Sequence, residues 1–130
     1  MKIPEDVMKI WKRASSAREL AYAPYSKFQV GAAFRSGTEI VSGCNIENAS
    51  FGAGLCAERV AIFKAISAGK KSMRDLVVVA DTKKATPPCG LCLQVLSEFA
   101  PRDLRIWMGN TKKILKVAKL SDLLPVPFSL

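Results

Sequence analysis

Hydrophobic residues recur at helical spacing near the start of the chain, with polar residues between them. The apolar positions are Ile3, Val7, Ile10, Trp11, Ala14, Ala17 and Ala21. Pro4 suits the first turn of a helix, and Glu5 and Asp6 suit the positive end of its dipole. This pattern predicts an amphipathic helix that ends before Pro24.

The next part of the chain changes to strand-like patterns. Residues 28–34 and 39–44 are predicted to be two strands joined through Ser36-Gly37, which together make a hairpin. A loop over residues 45–54 then leads into an apolar segment, residues 55–68, that stops at Gly69 and two lysines. The segment predicts a buried helix.

Strand and helix patterns alternate in the second half of the chain. Residues 76–80 form a β-branched run of the kind that is covered on both faces of a parallel sheet. Residues 90–99 predict a helix that Pro101 ends, and residues 104–108 and 114–118 predict two further strands. This order predicts an α/β fold with about five strands. A chain of 130 residues fits one domain, and we expect residues 1–130 to form it.

Composition narrows the class of protein. The apolar fraction of 49% is too high for a disordered chain, and the longest apolar run is too short to span a bilayer. Pro4, Glu5 and Asp6 interrupt the place where a secretory signal would need an apolar stretch. We therefore expect a soluble, cytoplasmic protein with no membrane partner.

The chain carries a formal net charge of +9, which raises the question of a nucleic-acid partner. Its basic residues are single or paired, as in Lys70-Lys71, Lys83-Lys84 and Lys112-Lys113, and aromatic residues do not interleave with them. This distribution favours a solvated basic surface over a nucleic-acid groove.

Four cysteines and no histidine limit the chemistry that the chain can perform. Without a secretory segment, metal binding or catalysis is a better interpretation of the cysteines than disulfides. The lack of histidine excludes Ser-His-Asp and Cys-His nucleophilic catalysis, and leaves thiolates as the only soft metal ligands.

Three of the cysteines lie where two predicted helices begin. Cys56 opens one helix, and Cys89 and Cys92 open the next, so both positive helix ends favour thiolates. If the two helix ends face each other, the three cysteines would form a metal site. The fourth cysteine, Cys44, ends a strand and has no ligand partner at short spacing. An open three-cysteine catalytic site is thus favoured over a closed four-cysteine structural site, with Cys44 a small inert side chain.

Glu58 follows Cys56 by two residues on the apolar helix. An acid in such a place is costly to bury unless it has a partner or a task. Beside a zinc-activated water, it can accept and pass on a proton as a general acid and base. The alternatives are a salt bridge to Arg59 or a simple interaction with the helix dipole.

Several short motifs follow one another along the chain. They are Tyr22-Ala23-Pro24-Tyr25-Ser26-Lys27-Phe28, Val30-Gly31-Ala32-Ala33, Gly43-Cys44-Asn45-Ile46-Glu47-Asn48-Ala49-Ser50, Cys56-Ala57-Glu58-Arg59, Pro88-Cys89-Gly90-Leu91-Cys92 and Leu123-Leu124-Pro125-x-x-Phe128. A zinc ligand followed by x-Glu and then Pro-Cys-x-x-Cys is the mark of zinc-dependent nucleobase deaminases. The whole set resembles the small, homotetrameric cytidine deaminases that act on free nucleosides.

This resemblance implies a three-layer α/β/α fold, whose mixed sheet of about five strands has helices on both faces. It also implies deamination of cytidine and deoxycytidine to uridine and deoxyuridine, with one zinc ion per chain. The implied site residues have distinct roles: zinc ligands Cys56, Cys89 and Cys92; proton shuttle Glu58; base stacking by Phe28; ribose binding by Asn45 and Glu47; and a bond from the backbone N–H of Ala57 to the base carbonyl. Phe128 would reach the active site of a neighbouring subunit in a homotetramer.

Arg59 is placed to donate hydrogen bonds to the thiolate sulfurs, which would offset the net negative charge of zinc with three thiolates. Leu93 and Phe51 stand where the family commonly has Arg and Tyr. The two departures leave the predicted zinc ligands and Glu58 unchanged. They affect what can be expected of zinc-site tuning and of one hydrogen bond at the subunit interface.

Two other functions remain open at this point. One is deamination of another small heterocycle, such as blasticidin or guanine, against which Asn45 and Glu47 argue. The other is a basic, zinc-stapled nucleic-acid-binding module, which has no use for Glu58.

Overall fold

A five-stranded mixed sheet forms the centre of the computed structural model, which describes all 130 residues. Its strand order is β2-β1-β3-β4-β5, and only β3 and β4 pair in parallel. The strands are β1 (Val30–Ser36), β2 (Glu39–Cys44), β3 (Arg74–Ala80), β4 (Arg105–Gly109) and β5 (Ile114–Lys119). The predicted hairpin is β1 and β2, turning at Gly37, whose φ of 60° suits glycine.

Helices cover both faces of this sheet, as the sequence predicts. The helices are α1 (Glu5–Arg18), α2 (Ala57–Ser67), α3 (Gly90–Phe99) and the short α4 (Leu120–Leu123), with a 3-10 turn at Phe51–Ala53. On β3, Val77 and Val79 join the core cluster under α1, whereas Leu76 and Val78 join the cluster under α2 and α3. The period-two alternation of a strand thus divides the core between two layers.

Close approach of α1 to the sheet depends on Gly31. A Cβ at this position would lie 1.9 Å from the carbonyl oxygen of Ala14, so no larger residue fits. No helix of the structure is long and apolar enough to cross a membrane.

Most element bounds differ from the sequence prediction by one or two residues, namely those of β1, α2, β3, β4 and β5. β1 begins at Val30 instead of residue 28, because the backbone N–H of Phe28 bonds to the Ser26 hydroxyl in the preceding turn. α1 ends at Arg18, which agrees with the predicted end before Pro24. α4 has no counterpart in the prediction, since a four-residue helix leaves too little periodicity to detect; Leu120 anchors it in the core.

Candidate metal centre and active site

Two helices begin side by side and bring three cysteines together. Cys56 is the N-cap of α2, Cys89 is the N-cap of α3, and Cys92 lies in the first turn of α3. The Sγ atoms of Cys56 and Cys89 are 3.7 Å apart, those of Cys89 and Cys92 are 3.6 Å apart, and all three lie within 4.8 Å of one another. Sulfurs bound tetrahedrally to one zinc at about 2.3 Å would be about 3.8 Å apart, so the thiols fit a zinc ion.

The surroundings of the cluster favour a thiolate at Cys56. Hydrogen bonding from Cys92, with further bonds from Arg59 and Cys89, lowers the pKa of Cys56 to about 5, although burial opposes this change. The hydrogen bond to Cys56 and burial raise the pKa of Cys92. A cation bound at the cluster would displace the proton that Cys92 retains.

Cys44 does not belong to the cluster. It ends β2, is half-buried, and lines a separate cavity of about 290 Å³ together with Arg13 and Lys64. Burial raises the pKa of its thiol, which favours the inert protonated form. The cluster therefore offers three cysteine sulfurs that could hold a metal ion, and Cys44 is not one of them.

Glu58 is a buried carboxyl group beside the cysteines, with only 4% of its surface exposed. It forms no salt bridge with Arg59, since the two ion pairs of the chain are Lys70–Glu39 and Arg105–Asp75. Burial raises the pKa of Glu58 to about 7, with a smaller contribution from the nearby Cys56. A carboxyl group with this pKa can both accept and release a proton near neutral pH.

Arg59 contacts the cluster through its guanidinium group. Its Nη2 donates to the Sγ of Cys56 at 3.4 Å, as the sequence predicts for a residue that offsets thiolate charge. Its Nε–H is buried without an acceptor.

A cavity of about 470 Å³ opens next to Cys56 and Arg59, and a volume of this size is usual for a small-molecule site. Its other lining residues come from the turn at Tyr25-Ser26, the loop at residues 45–48 and the segment at residues 51–55. Asn45 and Glu47, the two predicted ribose-binding residues, therefore line the same cavity as a predicted zinc ligand.

Both of these polar side chains also have partners within the chain. Glu47 accepts from the backbone N–H of Tyr25 at 3.0 Å and of Ser26 at 3.1 Å, and from the Ser26 hydroxyl. Asn45 accepts from the N–H of Val30 and donates to the carbonyl oxygen of Phe28, each at 2.8 Å. The two residues join their own loop to the chain segment before β1.

The other predicted substrate contacts lie outside the cavity lining. Phe28 is 40% exposed, Ala57 is the buried first residue of α2, and the Phe128 ring is 71% exposed. The Phe128 backbone is nevertheless anchored, because the Gln94 amide donates to its carbonyl oxygen at 2.9 Å and accepts from its N–H at 3.2 Å. The structure thus leaves most of Phe128 uncovered by its own chain while its backbone is held in place.

Two residues without a predicted role contribute to this arrangement. Ser26 forms hydrogen bonds to Glu47. The only feature of the sequence that points to Ser26 is its place in the Tyr22–Phe28 motif. Gln94 anchors the chain end, and no pattern in the sequence pointed to it, because the contact joins residues 34 positions apart.

Leu93 and Phe51, the two residues that depart from the family pattern, lie in different surroundings. Leu93 is 7% exposed and belongs to the core cluster under α3, so it packs apolar surface. Phe51 is 85% exposed at the cavity, with its ring centroid 6.5 Å from that of Tyr25 in an edge-on arrangement.

Residues 4–108 match the family model described as the cytidine and deoxycytidylate deaminase zinc-binding region. The chain is 48% identical over 120 residues to a cytidine deaminase of Halalkalibacterium halodurans, covering 91% of this chain and 90% of that protein. A crystal structure of cytidine deaminase from Burkholderia pseudomallei superimposes with a TM-score of 0.89 at 39% identity, covering 97% of this chain and all of that one. At lower identity, 31% over 113 residues, the chain is similar to a blasticidin-S deaminase of Bacillus cereus, with coverage of 80% and 79%.

Proposed function

The chain belongs to the cytidine and deoxycytidylate deaminase family, and from this premise we propose that it hydrolyses cytidine and deoxycytidine to uridine and deoxyuridine with release of ammonia. The observation that carries the proposal is the convergence of Cys56, Cys89 and Cys92 beside the buried Glu58. A three-cysteine metal site without a nearby acid would lack a group that moves protons. A buried acid next to an open position makes it suited to hydrolysis.

Cys56, Cys89 and Cys92 would hold one zinc ion per chain. When bound, a zinc ion with three protein ligands would lower the pKa of a water molecule at its fourth position, so that hydroxide would be available as a nucleophile near neutral pH. Arg59 offsets the charge of the three thiolates through its contact with Cys56, and the positive ends of α2 and α3 act in the same direction.

Glu58 moves the protons of the reaction. Its carboxylate accepts a proton from the attacking water and delivers it to the ring nitrogen of the base. It then accepts the remaining proton of the added hydroxyl group and passes it to the amino group, which leaves as ammonia while the new carbonyl bond forms. The pKa of about 7 supports this role, since neither protonation state is strongly disfavoured. Its burial keeps bulk water from competing for the proton.

The nucleoside would be held at its two ends. Glu47 and Asn45 bind the ribose hydroxyls, Phe28 stacks on the pyrimidine, and the N–H of Ala57 binds the base carbonyl oxygen. Support comes from the cavity that joins Asn45 and Glu47 to Cys56, and from the free N–H groups that a helix leaves in its first turn.

The active enzyme would be a homotetramer in which Phe128 of one subunit closes the site of another. An exposed aromatic ring on an anchored backbone supports this arrangement, because a ring that served its own chain would be covered by it. Each chain would contribute one domain, residues 1–130. A cytoplasmic location agrees with four unpaired cysteines, since a thiolate site needs a reducing compartment.

The alternatives from the sequence have less support. The blasticidin-S deaminase relative keeps another heterocycle in consideration, but it matches at lower identity than the cytidine deaminases. A zinc-stapled nucleic-acid-binding module leaves the buried Glu58 and the cavity without a purpose.

The test is to incubate zinc-loaded protein separately with cytidine, deoxycytidine, blasticidin S and guanine, and to measure ammonia release. We expect release from the first two substrates at rates far above those from the others. Release from blasticidin S or guanine alone, or from none, would overturn the proposal. Zinc-loaded protein that releases no ammonia but binds single-stranded RNA would favour the nucleic-acid module.

A further inference from the structure

Ser26 connects two residues that the proposed function assigns to opposite ends of the nucleoside. Its hydroxyl donates to Oε2 of Glu47 and accepts from the backbone N–H of Phe28 at 3.0 Å. Lys27, which lies between Ser26 and Phe28, has a φ of 60°, a conformation that a non-glycine residue adopts only when its surroundings fix it. The turn is therefore a defined structure and not a free loop.

The hydrogen bonds of Glu47 determine how much it can still bind. An ionised carboxylate offers about four lone-pair positions, two on each oxygen. Oε1 receives the N–H groups of Tyr25 and Ser26, and Oε2 receives the Ser26 hydroxyl. One position remains, on Oε2, and its direction is set by Ser26.

Glu47 is also held in its ionised form. The hydrogen bond from the Ser26 hydroxyl, with those from the backbone N–H groups of Ser26 and Tyr25, lowers the pKa of the carboxyl group. An ionised carboxylate only accepts hydrogen bonds. The remaining position therefore takes a donor, such as one sugar hydroxyl.

Asn45 completes the arrangement from the other side. Its Oδ1 accepts from Val30, and one of its two Nδ2 hydrogens bonds to the carbonyl oxygen of Phe28, which leaves one N–H free. The Phe28 backbone is thus held at its N–H by Ser26 and at its carbonyl by Asn45. The groups that would bind the sugar and the ring that would stack on the base share one hydrogen-bonded frame.

We propose that Ser26 is a positioning residue that directs the single free acceptor site of Glu47 to one sugar hydroxyl, and so determines selectivity for nucleosides that carry it. This inference rests on the proposed function. It predicts that loss of the Ser26 hydroxyl weakens sugar discrimination more than it weakens catalysis, because this hydroxyl bonds to Glu47 and to the Phe28 backbone and not to Glu58 or the cysteines.

The experiment compares cytidine with 2′,3′-dideoxycytidine, which lacks the 2′- and 3′-hydroxyls of the sugar and keeps the 5′-hydroxyl. For each variant the readout is the ratio of the two kcat/KM values. Any effect of Ser26 on Phe28, or on overall stability, applies to both substrates and cancels in this ratio. Ser26→Ala should lower the ratio by about tenfold or more, as expected for a hydrogen bond that involves a charged group, and mainly through KM for cytidine.

Two further variants serve as controls. Ser26→Thr keeps the hydroxyl and should restore most of the ratio. Ser67→Ala removes an exposed hydroxyl at the far end of α2, where it bonds to the Lys64 carbonyl oxygen, and should leave the ratio unchanged.

The outcomes separate this inference from the proposed function. A Ser26→Ala variant that keeps the wild-type ratio would overturn the role of Ser26 while deamination stands. A wild type that uses both nucleosides equally would overturn ribose binding by Glu47, and with it the role of Ser26. A wild type that does not deaminate cytidine at all would overturn the proposed function itself.

Discussion

Gly43 of β2 lies so close to α2 that a Cβ at this position would be 2.6 Å from the backbone nitrogen of Ala61. The same Cβ would be 2.8 Å from the carbonyl oxygen of Ala57. This contact fixes the first turns of α2 against the sheet. Because those turns carry Cys56 and Glu58, the packing of one glycine sets the position of the reacting groups.

Gly43→Ala should therefore destabilise the protein and disturb the site together. Overpacking of this kind typically costs about 1–3 kcal/mol, which corresponds to a Tm several degrees lower in a domain of this size. Zinc content per chain should fall as well. The matched control is Gly52→Ala, where an added Cβ meets nothing within 4 Å. Equal melting temperatures for the two variants would show that the contact between Gly43 and α2 is unimportant.

Zinc binding should distinguish the three clustered cysteines from the fourth. Cys89→Ser removes one of three close thiols, so the purified variant should retain far less than one zinc per chain. Cys44→Ser changes a cysteine outside the cluster and should keep the full complement. Metal analysis after dialysis against a weak chelator gives both values. Zinc loss in Cys44→Ser equal to that in Cys89→Ser would indicate a four-cysteine site.

The raised pKa of Glu58 predicts how the stability of the zinc-free protein depends on pH. A carboxyl group whose pKa rises on folding, here from 4.5 to about 7, binds its proton more tightly in the folded state. Its contribution to stability is present below pH 4.5 and is lost as the pH rises towards 7. Above pH 7 the zinc-free Glu58→Gln variant should be more stable than zinc-free wild type, by roughly 3 kcal/mol at most.

Urea unfolding in the presence of a chelator, repeated between pH 4.5 and 8, measures this difference. The exposed Glu98 provides the control, since Glu98→Gln should follow the wild-type pH dependence. A Glu58→Gln variant that parallels wild type over the whole range would mean that the carboxyl group is not buried in solution.

Sharing of sites between subunits can be tested with two inactive variants. Glu58→Gln lacks the proton shuttle and Phe128→Ala lacks the ring, so each homomer should be impaired. In mixed tetramers some sites would combine an intact Glu58 with an intact Phe128 from a neighbour, and activity should return in part. Absence of recovery despite demonstrated subunit exchange would place the ring at its own subunit's site.

The sequence predicted those parts of the fold that depend on local pattern. Residues 39–44 and 90–99 have the observed bounds of β2 and α3, because alternation and Pro101 mark their ends. The start of β1 was misplaced, since a hydrogen bond between Ser26 and Phe28 decides it. The cysteine cluster could be predicted because helix starts carry strong local signals. The hydrogen bonds of Glu47 to Tyr25 and Ser26 could not be predicted, because they join loops more than 20 residues apart in the sequence.

The assignment of Glu58 as the group that moves protons at the zinc site is tested by one rate. This is the rate of ammonia release from cytidine by Glu58→Gln protein that metal analysis shows to hold one zinc per chain. Glutamine keeps the shape of the side chain but cannot take up the proton, so zinc should remain while the rate falls at least about 100-fold. Wild-type protein with the same zinc content is the reference. A zinc-replete Glu58→Gln variant that deaminates cytidine at nearly the wild-type rate would contradict the assignment of Glu58 and of this site as the catalytic centre.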